Sequence, residues 1–336
     1  AYGTIALVTV ITTLLQVFVD SGMATSLVQK KNADDVDFST VFYFNLGVCM
    51  LLYGGVFVSA PLIARFYEDA ALTPVIRVLS LTLVISGLRN VQQAYISKHM
   101  LFRRYFFATL SSTTVSAVVG IWMAYQGYGV WALVGQVLSD KLIGTVVLWV
   151  TVRWRPRWVF SFERLKGLFS FGWKLLVSGL LETAYKDVRQ LIIGKLYTSQ
   201  DLAFYNKGNQ LPHLITGNVN TAIDSVLLPT MSQVQDSREE VKRITRRAMK
   251  TSTYVMAPLL IGMAATADVF IPLLLTEKWV FAIPYLRIFC ITSLFYPIHT
   301  ANLNAIKAMG RSDLFLKLEI IKKSYGLVSL AIATFC

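Results

Sequence analysis

Lysine and arginine crowd into every second connector between the apolar stretches of this chain, and that alternation limits it to one kind of architecture. Ten such stretches occur, at about residues 4–28, 40–64, 75–97, 106–125, 129–152, 168–193, 202–230, 252–275, 280–306 and 314–335. As helices they suit a bilayer, because about 20 residues at 1.5 Å each cross its roughly 30 Å hydrocarbon core. One set of alternate connectors carries Lys30 and Lys31; Lys98, Arg103 and Arg104; then Arg153, Arg155, Arg157, Arg164 and Lys166. It continues with Arg238, Lys242, Arg243, Arg246, Arg247 and Lys250, then Lys307, Arg311 and Lys317. The other set holds only Arg65, Lys195 and Lys278. This is the positive-inside rule, so the basic connectors are expected in the cytoplasm. Short connectors make neighbouring helices antiparallel. Residue 1 is then expected outside, with an odd number of spans, most simply one, ahead of it.

Composition agrees: 55% of the 336 residues are hydrophobic and 15% charged, the profile of a polytopic membrane protein. The net charge of +13 would suggest nucleic acid in a soluble protein, but here topology and anionic headgroups account for it. The densest basic connector, SREEVKRITRRAMK (237–250), is expected to lie along the inner surface as a solvated helix. Cys49, Cys290 and Cys336 are isolated in apolar stretches and read as packing residues. No metal or cofactor pattern exists among them or the three histidines.

The 168–193 stretch carries Lys174, Glu182, Lys186, Asp187 and Arg189 within a span-length apolar run. Lys174, Ser178, Glu182, Lys186 and Arg189 step by four, four, four and three, one stripe of a helix. Its Leu, Ile, Phe and Val side chains contribute about −5 kcal/mol to insertion, whereas Glu182, Lys186 and Asp187 cost about +8 to +10. The stripe must therefore face protein or a water-filled cavity. In 202–230, Asn206, Gln210, His213, Gly217, Asn220 and Asp224 form a second polar stripe. Across the short turn near Thr198 to Asp201 the two helices are expected to be partners, with their polar faces meeting across or beside one cavity. Lys186 is expected at about the depth of His213, and Lys174 near Asp224.

Other polar residues within spans are Asp20, Arg89 with Asn90, Gln92 and Gln93, Asp140 with Lys141, Arg287, His299, Asn302 and Asn304. Singly, such residues read as structural ion pairs, snorkelling charges or interhelical hydrogen bonds, and Asp140–Lys141 and His299 belong there. Arg89, Lys174, Lys186, Arg189 and Lys207 are the cations expected to hold an anionic group, because both residue types bind phosphate through charge-assisted hydrogen bonds. Glu182, Asn206, Gln210, His213, Asn220 and Asp224 complete the polar lining, and the amides suit a sugar. No phosphate-binding loop, HExxH or GxSxG occurs, and no connector is large enough for a catalytic domain. A transporter without catalytic residues is expected instead of an enzyme.

The string FVDSGMATSLVQKKNADDVDFSTVFYFNL (18–46) resembles the N-terminal part of Wzx-type polysaccharide-export flippases. The stretches 65–105, GYGVWALVGQ (127–136), 154–176, LIIGKLYTSQDLAFYNKGNQLP (191–212), LLPTMSQVQD (227–236) and EKWVFAIPYLRI (277–288) continue that resemblance. The similarity is greatest to the branch with colanic and teichuronic acid exporters, in the MATE-like multidrug/oligosaccharidyl-lipid/polysaccharide superfamily. It implies an all-α, polytopic bundle in the bacterial cytoplasmic (inner) membrane. About ten transmembrane helices would be present here, from a protein of 12 to 14 in two pseudo-symmetric lobes. The lobes would be 1–152, lacking its first helix, and a truncated 168–336, joined by a basic linker at 153–167. The activity implied is flipping of undecaprenyl-pyrophosphate-linked oligosaccharide to the outer leaflet by alternating access, for lipopolysaccharide or exopolysaccharide biosynthesis. Membrane lipids and other polysaccharide assembly proteins are the further partners, and nucleic acid is none. Two alternatives remain: a MATE-type ion-coupled exporter of small molecules, which favours an acidic chamber, and a membrane enzyme of envelope polysaccharide synthesis, which needs a large external loop.

Overall fold

The computed structural model describes residues 16–19, 22–66, 70–196 and 198–335, apart from the side chains of 187, 190, 191, 194, 195, 199 and 333–335. Asp20, the side chains of Asp187 and Lys195, and much of the first expected span lie outside the described residues. From Met23 onward the chain runs through α1 (Met23–Gln29), α2 (Asp35–Phe66), α3 (Leu72–Lys98), α4 (Phe102–Tyr125), α5 (Val130–Thr151) and α6 (Phe162–Leu196). It continues with α7 (Ser199–Gln233), α8 (Arg238–Ala265), α9 (Ala267–Leu275), a 3-10 turn (Glu277–Ala282), α10 (Ile283–Ser293), α11 (Tyr296–Ala308) and α12 (Ser312–Phe335). Two compact units result, Ala1–Leu180 and Leu181–Cys336, and α6 contributes its first half to one and its second half to the other.

The first unit is built on two hairpins, α2 with α3 and α4 with α5, and α3 packs in turn on α5 and α1. Tight reversals make the hairpins. After α4, Gly127 takes φ 78°, its N–H reaches Ala124 O at 3.0 Å and the Tyr128 N–H reaches Met123 O at 3.2 Å, the double bond of a Schellman cap. The α2–α3 crossing is close because Gly87 has no side chain: a Cβ there would lie 2.8 Å from Cys49 Sγ. Val56, Ala60, Ala64, Leu72, Ile76 and Val134 form the core at one end. At the other end Phe38, Phe42, Tyr95, Trp149 and Trp154 pack edge to face or stacked. The segment between α5 and α6 is strapped over the start of α2. Arg157 N–H donates to Ser39 Oγ (3.0 Å), Ser161 N–H to Thr40 Oγ1 (3.2 Å), and Arg157 pairs with Asp35 at 2.7 Å.

In the second unit α7 is the central rod, with α8, α10 and α11 as its packed neighbours. Met256, Leu260, Ile271, Ile283 and Leu286 form one core beside it. Leu227, Met231, Val241, Ala301, Ala305 and Ala308 form another.

Among the described residues, α2, α3, α4 and α5 can each cross a bilayer by length and composition, and six spans qualify if each bent pair counts as one. The expected spans 168–193, 202–230 and 314–335 fall inside α6, α7 and α12. The expected spans 252–275 and 280–306 are not single rods. The first is broken at Thr266, where α8 and α9 meet at 81°, and the second bends by 42° after Ser293. Arg287 holds the first break: Nε donates to Ala264 O at 3.2 Å and Nη2 pairs with Asp268 at 2.5 Å. Pro297 causes the second, since it lacks an N–H to continue the preceding helix. The basic stretch 237–250 is also not a separate surface helix. Ser237 caps α8, accepting the Glu240 N–H, and the basic residues run without interruption into the apolar half of the same helix. Val241, Ala248 and Met249 fix the basic half against the core around Met231.

Candidate functional site

One face of α7 is committed to packing. Leu211, Ile215 and Val219 lie against the first core of the second unit, and Ile223, Leu227 and Leu228 against the other. The opposite face is polar, and its outer turns are not packed: Asn206, Gln210 and His213 are exposed. Together with Lys207, Asn209 and Trp279 they line an open cavity of about 460 Å³. Within it Lys207 Nζ donates to Gln210 Oε1 at 3.0 Å and sits 5.7 Å from the centre of the Trp279 ring. Farther along, the stripe is half-buried: Asn220 Oδ1 is enclosed with no hydrogen-bond partner among the described residues, and Asp224 accepts from Asn304 Nδ2 of α11.

The second half of α6 forms a different cluster. Glu182 accepts from Lys323 of α12 and pairs with Lys186 at 3.2 Å. Lys323 lies 4.0 Å from Glu319, whose buried carboxylate is held by Lys322 at 2.6 Å. Lys322 Nζ is 3.1 Å from His299 Nε2. Lys186 keeps 55% of its side chain exposed. The Arg189 guanidinium lies against the rings of Tyr185 and Tyr205, at 6.0 and 5.8 Å. That aromatic contact joins α6 to α7.

The site residues therefore separate into groups. Asn206, Lys207, Gln210 and His213 share the cavity. Glu182 and Lys186 belong to the ionic cluster with α12, Arg189 bridges to Tyr205, and Asp224 joins α11. Arg89 and Lys174 lie in the first unit. Arg89 is 9% exposed and wedged at Gly144, where a Cβ would lie 3.0 Å from Nη1, and its Nε has no partner among the described residues. Lys174 is half-buried on α6. Sequence reasoning missed Trp279, which comes from the turn after α9, and Lys323, Lys322 and Glu319. The last three were visible as Glu319, Lys322 and Lys323, spaced i, i+3, i+4 on one helix face. Among the described residues no three His, Cys, Asp or Glu side chains converge as metal ligands.

The chain is a bundle of long helices that carry polar and ionic residues, and known structures share this fold. A MATE transporter in its straight conformation superposes with a TM-score of 0.75 at 17% identity, covering 96% of this chain and 77% of that one. The outward-facing form of a multidrug resistance MATE transporter of the MOP superfamily gives 0.73 at 16% identity, over 96% and 76%. The chain belongs to the polysaccharide biosynthesis protein family, whose profile matches residues 1–284. It is 27% identical to the teichuronic acid biosynthesis protein TuaB of Bacillus subtilis, over 90% of this chain and 63% of TuaB. It is 23% identical to the succinoglycan biosynthesis transport protein ExoT of Rhizobium meliloti, over 87% and 59%. The lipopolysaccharide biosynthesis protein WzxC of Escherichia coli is 21% identical, over 96% and 66%. The chain thus spans about six-tenths of the length of these relatives. It is a multi-pass membrane protein with the MATE fold.

Proposed function

We propose that this protein moves an undecaprenyl-pyrophosphate-linked oligosaccharide from the cytoplasmic to the outer leaflet of a bacterial cytoplasmic membrane, for cell-surface polysaccharide biosynthesis. The observation that carries the reading is the unpacked polar stripe of α7. Its apolar face is buried in the unit's cores, so Asn206, Gln210 and His213 are presented away from them. Lipid gives such groups no hydrogen bonds, so in a bilayer the stripe must border water or cargo. A hydrated chamber offsets the large cost of carrying pyrophosphate and sugar hydroxyls past acyl chains. Lys186 and Arg189, neighbours on the second half of α6, supply positive charge for the pyrophosphate, while the polyprenyl tail stays in lipid. The lobes 1–152 and 168–336, linked by 153–167, alternate the chamber's exposure. No covalent step is involved, and the names of TuaB, ExoT and WzxC support a role in polysaccharide export.

The test follows lipid-linked oligosaccharide on each leaflet in cells whose own copy is deleted and which carry the protein or its variants. Lys186→Ala and Arg189→Ala are each expected to reduce outer-leaflet oligosaccharide at least tenfold while the protein stays in the membrane. Full export by both removes these cations from the site. Export equal in the deleted and complemented cells removes the function.

A further inference from the structure

The α7 cavity has a chemistry narrower than "polar". Asn206, Asn209 and Gln210 each offer an N–H₂ donor and a carbonyl acceptor, and His213 offers one of each when neutral. A hydroxyl needs both kinds, because it donates and accepts. A phosphate uses donors alone, and a hard cation uses acceptors alone. Among the described residues no carboxylate lines the cavity, and its one cation, Lys207, bonds the neutral Gln210 instead of an acid. An organic cation would meet like charge there without compensation.

The remaining wall is an indole, and its position is built in. Phe204 meets the Trp279 ring edge-on at 5.9 Å with an interplanar angle of 89°. The Trp279 backbone amide donates to Thr276 O at 3.2 Å, in a turn that Thr276 enters with φ 78°. A threonine in the left-handed region is strained, so packing must over-determine this turn. The turn in turn is seated against α7, where Gly208 leaves room: a Cβ there would fall 2.6 Å from Tyr285 Cβ, just after the turn. A flat apolar ring, fixed beside paired donors and acceptors, matches a pyranose. Such a ring has an apolar C–H face and an equatorial rim of hydroxyls.

We propose that this cavity is a saccharide subsite, in which one glycan ring stacks on Trp279 while Asn206, Asn209 and Gln210 hydrogen-bond its hydroxyls. Lys207 admits a ring bearing a carboxylate. The subsite occupies the second to fourth turns of α7, beside the sparsely charged connectors that carry Lys195 and Lys278. It therefore lies toward the end expected to face out, where cargo leaves. The inference rests on the transport reading above and narrows it to the sugar part of the cargo.

The test uses the protein in lipid nanodiscs, with saturation-transfer NMR as readout. The probes are a neutral tetrasaccharide, a hexuronate-containing tetrasaccharide and tetraphenylphosphonium. Wild type is expected to bind the saccharides, Trp279→Ala to bind them at least tenfold more weakly, and Trp279→Phe to fall between. Asn206→Ala with Gln210→Ala changes two exposed residues, so folding is kept, and is expected to weaken binding by a similar factor. Lys207→Met should weaken the hexuronate probe more than the neutral one. Saccharide binding equal in wild type, Trp279→Ala and the double variant overturns the subsite, as does wild type that binds only tetraphenylphosphonium or no probe. The leaflet assay separates the two readings. Trp279→Ala with normal saccharide binding and normal export sinks the subsite alone, whereas wild type that moves no lipid-linked oligosaccharide sinks the transport reading.

Discussion

Met100 sits where helix ends usually place glycine. Its φ is 55°, its N–H reaches Ser97 O at 3.2 Å and the Leu101 N–H reaches Ile96 O at 2.9 Å. That is the same cap that Gly127 and Gly310 make after α4 and α11, each with positive φ. A side chain with a Cβ costs about 1 kcal/mol in this conformation. Met100 is exposed, so it returns little of that cost through burial. Met100→Gly should therefore stabilise the α3–α4 reversal by up to about 1 kcal/mol, seen as a higher melting temperature in detergent. An unchanged or lower melting temperature would mean that the thioether is held by something the geometry does not reveal. Nothing in the sequence around His99 and Leu101 marked this residue, because a left-handed methionine has no compositional signature.

At the scale of elements, the strap over α2 and the first turn of α6 depends on acids packed at one point. The Asp37 side chain is fully buried, takes both oxygens to Lys30 Nζ at 2.7 Å and lies 3.3 Å from Arg164. Asp34 pairs with Arg164 at 2.7 Å. Removing a buried partner leaves charge uncompensated, so Asp37→Asn is expected to destabilise the first unit by about 3 kcal/mol. Asp34 titrates in a predictable direction. Burial works to raise it, but the Asp37 N–H and the Arg164 guanidinium outweigh that and hold the carboxyl below its usual value. A depressed acid contributes stability above its unfolded value near about 4, and that contribution is lost as pH falls through the lower folded value. The Asp34 side chain is 48% exposed, so the effect is small. Melting temperature should be level from neutral pH to about 5 and fall below about 4, and Asp34→Asn should flatten part of that fall. An identical acid profile in the variant would exclude Asp34 as a contributor.

The helices and their polar faces were readable because hydrophobic period and charge placement are local. The stripe from Asn206 to Asp224 could be counted on residues alone. What opposes each face was not readable. Lys323 reaches Glu182 from 141 residues away, and Trp279 reaches the cavity from a turn beyond two helices. The break at Thr266 was also hidden, since the guanidinium that holds it comes from a later helix. Periodicity assigns a residue to a face, but only packing decides what that face meets.

For the whole molecule, the alternation of basic connectors specifies which ends share a side. Cys49 and Cys290 are buried at 0% and 1% exposure, so single cysteines introduced elsewhere, with Cys336 replaced, report cleanly. A maleimide that does not cross bilayers should label Tyr128→Cys and Phe281→Cys in intact cells. It should reach Arg103→Cys and Arg243→Cys only after lysis. All four sites are exposed, and the opposite pattern would invert the orientation.

The corner at Thr266 has a reach beyond its own carbonyls. Bending a chain sharply requires stand-ins for the hydrogen bonds given up: the Thr266 hydroxyl donates to Gly262 O, and Arg287 from the neighbouring helix donates to Ala264 O. Were Arg287 replaced by an aliphatic residue, residues 252–275 would tend to straighten into one longer rod. The indole carried just past the corner would then swing off its seat beside α7, so a substitution on α10 would blunt sugar selectivity without touching any group that contacts sugar.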